Sequence, residues 1–392
     1  MTKDIEYLNT PIILIHGIRG SHLAQTYDDS FDVIWSGIQN RYESILDLEL
    51  DPTGQYDNDP FGLINVQRIE KMAYGEILSR LRKQFKNTPV YIYRYDWRLD
   101  IDFLAQQFVD FVEKIKTKTQ TEQINVITHS MGGLILARYL KLDTEEHLKS
   151  IRKAAITAPP FGGSYEAVKC LIIGEDSLFS FNSSEVFRKI ARSFPSVYQL
   201  LPSLQPHWEH PEENSNFWDI AYWQQRVEFG SRNKAIYVTK QTIMQNHLSR
   251  AKQFAFNEMI DLADYPDHQD KFLLMYGKGA KTLSNIIVKD YNSDLSIRYL
   301  FDFEKSEKKY TGDGDGVVPI NSALRYHFKH VIPVNLSYFK QWWNPFTLDD
   351  RLKTNIVGFH PMFLGLDKVQ SVICDWIQGK KPDKTWIYRI TP

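Results

Sequence analysis

The chain has 392 residues, 43% of them hydrophobic and 24% charged, which excludes a disordered or fibrous protein. Its 47 basic and 48 acidic side chains leave a formal charge of −1, so no nucleic-acid partner is expected. The length suits one large α/β domain with insertions, or two to three domains of about 150 residues. Cys170 and Cys374 form no CxxC pair, which argues against zinc or redox work and for a reducing compartment. Met1–Glu6 is too polar for a secretory leader, and no apolar run reaches the about 18 residues of a membrane span. The expectation is a cytoplasmic protein that touches membranes peripherally at most. Aromatic content, at 14%, suits either a large core or a surface for something greasy.

In chain order, Pro11–Ile15 is a short apolar run of the kind that forms a strand buried on both faces. Residues 24–61 lack a clean period and read as a long irregular excursion, a candidate membrane- or substrate-contacting element. Helical spacing follows over 69–85, a strand over 89–93, and a second helix over 101–115. Then come a strand over 124–128, a helix over 134–142 and a strand over 151–157. Strands alternating with helices predict a mostly parallel sheet flanked by helices. The alternation stops after Ala158-Pro159-Pro160 and resumes at Phe272. Further elements are a strand within 330–335 and a helix over 361–376. The division that follows is a core of 1–160 and 271–392, interrupted by a cap or lid over 161–270.

Residues 124–133, Ile-Asn-Val-Ile-Thr-His-Ser-Met-Gly-Gly, run from an apolar strand through a sharp turn into a helix. Such a turn lifts the Ser130 hydroxyl clear of the sheet and aims the helix N-terminus at a developing oxyanion. The loop His16-Gly17-Ile18-Arg19-Gly20 leaves the first strand. Backbone N–H groups of Ile18 and Met131 are the expected oxyanion donors, with Arg19 as the alternative to Ile18. The order Ser, acid, His points to Asp315 in Gly312-Asp-Gly-Asp-Gly-Val-Val318, with Asp313 as the fallback. A calcium loop starting at Asp313 fails, because Val317 and Leu324 stand where ligands are needed. Among histidines after the acid, His360 sits before the last helix, whereas His327 and His330 lie in or beside a strand. Ser130 would attack an acyl carbonyl, His360 would move the proton, and Asp315 would hold the imidazole. No metal and no organic cofactor is needed for this chemistry.

Several segments together resemble the lecithin:cholesterol acyltransferase-like family of α/β-hydrolases, which includes lysosomal phospholipase A2 and phospholipid:diacylglycerol acyltransferases. They are Pro11–Gly20, Tyr95-Asp-Trp-Arg-Leu99, His129-Ser-Met-Gly-Gly133, Ala158–Ser164, Phe194-Pro-Ser196 with Leu200-Leu-Pro-Ser203, and Gly312–Val318 with Ser322-Ala-Leu324. The resemblance implies an α/β-hydrolase fold with an inserted lid, and Ser130, Asp315 and His360 on the family triad. It also implies a membrane-contacting role for the excursion. His16 stands where the family often has Pro, and Thr128 where it often has Gly. The cysteine pair that staples the excursion in secreted members is absent. The expected activity is cleavage of lipid acyl esters in the manner of a lipase or phospholipase A. The alternatives are an acyltransferase to a lipid alcohol and a non-catalytic interaction protein on a hydrolase scaffold. Trp97 is a candidate for the acyl pocket, and Trp208, Trp218 and Trp223 for a lipid-facing lid.

Overall fold

The apolar runs become six parallel strands. The computed structural model describes residues 10–27, 30–35, 45–58, 63–174, 184–204, 218, 234–287, 303–337 and 359–381. Its strands, in chain order, are β1 (Ile12–Ile15), β2 (Ser21–Tyr27), β3 (Ser30–Trp35), β4 (Ile64–Ile69), β5 (Val90–Tyr93), β6 (Ile124–His129), β7 (Ile151–Thr157), β8 (Phe272–Lys278), β9 (Ala280–Leu283), β10 (Thr311–Gly314) and β11 (His330–Asn335). The central sheet has the order β11-β8-β7-β6-β1-β5, with every pair parallel. The helices that matter here are α1 (Lys71–Gln84), α2 (Ile101–Thr119), α3 (Met131–Leu142), α4 (Tyr165–Ile173), α5 (Lys234–Asn257) and α6 (Asp367–Ile377).

Side chains on a strand alternate between faces, and β1 shows what that does. Ile13 and Ile15 join the core formed with α2 and α3, while Ile12 and Leu14 join the core formed with α1 and α6. A strand covered on both faces has no place for polar residues, so β1 reads as a continuous apolar run. The helices start where their caps put them. Glu70 accepts from Met72 N–H at the head of α1, and Asp100 accepts from Asp102 N–H at the head of α2. The last helix begins at Asp367, later than the apolar pattern predicts. Residues 359–362 form a turn and Phe363–Gly365 a short 3₁₀ segment.

The excursion is more ordered at its base than its sequence suggests. β2 pairs antiparallel with both β3 and β4 in a three-stranded sheet. Opposite Leu23 and Ala24, which pair with Trp35 and Val33, β3 carries Ile34 as an extra residue, and this bulge breaks the strict alternation by which a strand is read. Leu23, Ile34 and Trp35 are buried in the main core, and Ala24 is buried as well. Residues 28–29, 36–44 and 59–61 of the excursion lie outside the described residues.

Arg98 ties this region to the sheet. Its Nη2 donates to Asp96 at 2.6 Å and to Asp57 at 2.9 Å, and its Nη1 donates to the Leu48 carbonyl at 2.9 Å. The side chain is 2% exposed. The neighbouring carboxylates hold the guanidinium above its usual range against the opposing effect of burial. Arg98→Met therefore leaves two shielded carboxylates without their cation and is expected to cost about 3–5 kcal/mol in a urea unfolding titration. Adding Asp57→Asn to that variant should recover part of the loss.

Residues 158–271 lie between the neighbouring strands β7 and β8. They carry α4 and α5, and the short helix Pro195–Gln199 meets the head of α2, where Gln199 Oε1 accepts from Ile101 N–H at 2.7 Å. Trp208 and Trp223 fall outside the described residues. Among the described residues, no helix is long and apolar enough to cross a membrane.

Candidate active site

Ser130 occupies the turn between β6 and α3 with φ 53° and ψ −127°. An L-residue is strained there by about 1–3 kcal/mol, which surrounding contacts must hold in place. Ser130 N–H donates to the Thr157 carbonyl of β7 at 2.9 Å, and Gly133 N–H donates to the Ser130 carbonyl at 2.8 Å. Gly132 is required by proximity. A Cβ there would lie 2.6 Å from the Ile15 carbonyl oxygen and 2.7 Å from that of His16. The head of α3 therefore rests on the end of β1, where the loop His16–Gly20 begins.

Two further loops complete the arrangement. The antiparallel β9–β10 ribbon delivers Asp315, and the turn before α6 delivers His360. His360 Nε2 lies 2.8 Å from Ser130 Oγ, and His360 Nδ1 lies 2.7 Å from Asp315 Oδ2. The other oxygen of Asp315 accepts from the N–H groups of Val317 at 3.0 Å and Val318 at 2.7 Å. Ser130, Asp315 and His360 are all buried, with only 5%, 1% and 3% of their surfaces exposed. A hydroxyl, an imidazole and a carboxylate in this line can make the serine a nucleophile. Asp313 is exposed and instead accepts from Gly279 N–H. His330 pairs with Asp270 at 2.8 Å. Among the described residues, no group of three or more His, Cys, Asp or Glu is placed to hold a metal ion.

The loop after β1 packs directly on the elbow. A Cβ on Gly17 would lie 2.8 Å from Ser130 Cβ. Ile18 and Arg19 line the same cleft as Ser130 and His360. Met131 is the first residue of α3, where backbone N–H groups have no partner within the helix. Arg19 has φ 62°, and its guanidinium lies 4.4 Å from the Phe187 ring centre and 5.4 Å from that of Trp35. Burial lowers its pKa to about 10. The rest of the cleft is mainly apolar, with Pro160, Ala167, Val197, Leu200, Val317 and Val318 along it.

Trp97 does not line this cleft. It is fully buried, its indole N–H donates to the Ser21 carbonyl at 3.1 Å, and its ring meets Trp35 and Phe194 edge-on. The expected contact with an acyl chain gives way to a structural one, because strand β2 covers the indole. Trp218 is half-buried, packs edge-on against Phe256, and is likewise not part of the cleft. Sequence reasoning passed over Cys170 and Glu166, which α4 brings to the cleft wall. It also passed over Tyr74 of α1, whose hydroxyl lies 2.9 Å from His129 Nδ1. Nothing local in the sequence marks these residues, since their partners lie far along the chain.

Two buried histidines make the fold acid-sensitive. Burial lowers His16 and His247 to about 4. Unfolded, they would titrate near 6.5. Below pH 6.5 the unfolded chain therefore binds protons that the folded chain refuses. Stability present above pH 6.5 is lost progressively down to about pH 4. Each histidine contributes a slope of about 1.4 kcal/mol per pH unit in that window. Urea midpoints at pH 7.5 and 5.0 should show the fall, and His247→Gln should flatten it.

The family model described as lecithin:cholesterol acyltransferase matches residues 69–270, just over half of the chain. The chain belongs to the lecithin:cholesterol acyltransferase family. The matched stretch includes the elbow at Ser130 and ends before Asp315 and His360. Within curated proteins, the chain is 26% identical over 288 residues to phospholipase A(1) LCAT3 of Arabidopsis thaliana, covering 64% of this chain and 62% of that one. It is 22% identical over 262 residues to lecithin-cholesterol acyltransferase-like 4 of the same plant, covering 59% and 48%. The match thus spans under two thirds of either relative's length. A chain in the crystal structure of the Tle4–Tli4 complex superposes with a TM-score of 0.61 at 12% identity, over 94% of this chain and 98% of that one. That likeness shows a shared fold, and the fold is of the α/β-hydrolase type.

Of two departures from the usual lecithin:cholesterol acyltransferase pattern, one has a local explanation. Thr128, in place of Gly, is fully buried, and nothing in the structure explains the exchange. His16, in place of Pro, stacks on Tyr95 with ring centres 4.0 Å apart and bonds through Nδ1 to the Gly17 carbonyl at 2.7 Å.

Proposed function

We propose that this chain is a serine hydrolase of lipid acyl esters, of the phospholipase A type. The observation that carries the reading is the Ser130–His360–Asp315 line at a strained elbow beside an apolar cleft. Ser130 Oγ attacks the ester carbonyl while His360 Nε2 takes its proton. The oxyanion is held by the N–H groups of Ile18 and Met131. Collapse of the tetrahedral intermediate expels the alcohol, which receives the proton from His360 and leaves an acyl-Ser130. Water then attacks the acyl group with His360 again as base, releasing fatty acid. Family membership and the match to a phospholipase A(1) support a phospholipid substrate.

The family's name supports a second reading, in which a lipid alcohol replaces water in the last step. Acceptor choice depends on how far residues 161–270, which we propose form the lid, exclude water. Product analysis by mass spectrometry separates the readings. Mixed phospholipid and neutral-lipid vesicles, with and without a long-chain alcohol, should yield fatty acid and lysolipid. Preferential transfer to the alcohol would make the protein an acyltransferase. Activity indifferent to vesicles would point to soluble esters. No product and no labelling by a serine-directed phosphonate would leave an interaction protein on a hydrolase scaffold.

A further inference from the structure

A line of hydrogen bonds runs behind Ser130 and joins loops that are far apart in sequence. Gly17 N–H donates to Tyr74 Oη at 2.9 Å. Tyr74 Oη lies 2.9 Å from His129 Nδ1, and His129 Nε2 lies 2.9 Å from the carbonyl oxygen of His360. The two ends fix every proton between them. A backbone N–H can only donate and a carbonyl can only accept. Neutral His129 therefore carries its proton on Nε2 and accepts at Nδ1. The Tyr74 hydroxyl gives its one hydrogen to Nδ1 and accepts from Gly17. Burial supports this arrangement by holding His129 well below the usual imidazole range and pushing the Tyr74 phenol up.

The end groups matter because of what they adjoin. Gly17 precedes Ile18 in the oxyanion loop, and the accepting carbonyl belongs to His360, whose ring faces Ser130. His129 is the last residue of β6 and is bonded covalently to Ser130. Strand β6 and helix α3 fix Ser130, whereas Gly17 and His360 sit on loops, which place groups less accurately. Resting on the reading of Ser130 as nucleophile, we propose that Tyr74 and His129 are positioning residues that hold the oxyanion loop and the His360 loop at a set separation across the elbow. Tyr74 is suited to the task because it sits among the buried residues of α1, with Ala73, Ile77 and Leu78.

The test uses the full-length chain and a set of conservative variants. Tyr74→Phe removes the hydroxyl alone. His129→Asn keeps a polar group towards Tyr74 but cannot reach the His360 carbonyl. His129→Gln can still donate to it. A soluble chromogenic ester gives kcat and KM, and a phosphonate gives the labelling rate of Ser130. The proton resonance of the His360–Asp315 hydrogen bond, assigned by its loss in His360→Gln, reports on the base itself. Tyr74→Phe and His129→Asn should lower kcat and labelling about ten- to a hundredfold at near-constant KM, the scale of a misplaced catalytic group. His129→Gln should recover most of this, and the resonance should move in Tyr74→Phe. Unchanged kcat in Tyr74→Phe and His129→Asn, even with a lowered Tm, would overturn the proposal. So would His129→Gln performing no better than His129→Asn. If wild type cleaves no ester and takes no phosphonate, the reading of Ser130 falls separately. The bridge is then judged by the resonance: movement in Tyr74→Phe supports it and constancy overturns it.

Discussion

Ser130→Ala should reduce turnover by about 10⁶-fold, the scale seen when the nucleophile of a serine triad is removed. The prediction is sharp because the substitution changes little else. Alanine meets the same strained backbone at φ 53° as serine does, so the elbow itself is not relieved. The hydroxyl's recorded partner is His360 Nε2. Thermal unfolding should shift by less than the roughly 1 kcal/mol typical of a lost hydrogen bond. Phosphonate labelling should disappear. Turnover within tenfold of wild type, in a preparation with an unchanged Tm, would move the nucleophile elsewhere.

Asp315→Asn should lower kcat by about 10⁴-fold at neutral pH, the loss that follows from the wrong imidazole tautomer. The geometry derives this without appeal to charge alone. One carboxylate oxygen is committed to two donors, the N–H groups of Val317 and Val318. An asparagine must turn its carbonyl oxygen to them and its NH₂ to His360 Nδ1. Two donors would then face each other unless the imidazole shifts its proton to Nε2. That proton would point at Ser130 Oγ, and the base could no longer accept. Burial within 1% exposure leaves the asparagine no room to rotate away. A loss of less than tenfold in steady-state kcat would show that Asp315 does not set the tautomer.

Much of the sheet was legible because its strands answer to simple patterns. Ile12–Ile15 and the Ala154–Ile156 part of β7 are apolar because helices cover both faces. The elbow was legible because a strand, a serine and two glycines must sit close together in sequence to make it. The ribbon of β2, β3 and β4 was not, since the bulge at Ile34 shifts the alternation of β3 by one residue. Nor was β10, whose Thr-Gly-Asp-Gly has no apolar face to betray a strand. Trp97 misled for a different reason. An aromatic beside a strand end near the cleft looks the same in sequence whether it faces substrate or another strand. Tyr74 lies 55 residues from His129, and neither residue announces the other.

The clamp around Arg98 also constrains how this protein can be altered by exchange of parts. Leu23, Ile34 and Trp35 are built into the main core, and Trp97 leans on the carbonyl of Ser21. Cutting out residues 24–61 would remove Trp35, uncover the face of Trp97 and strand a buried guanidinium. A chimera that borrows the whole excursion from a relative must therefore bring matching partners for Arg98 and Trp97, or it will fail to fold before its specificity can be measured. A graft confined to the stretch between Trp35 and Ile45 leaves those anchors intact.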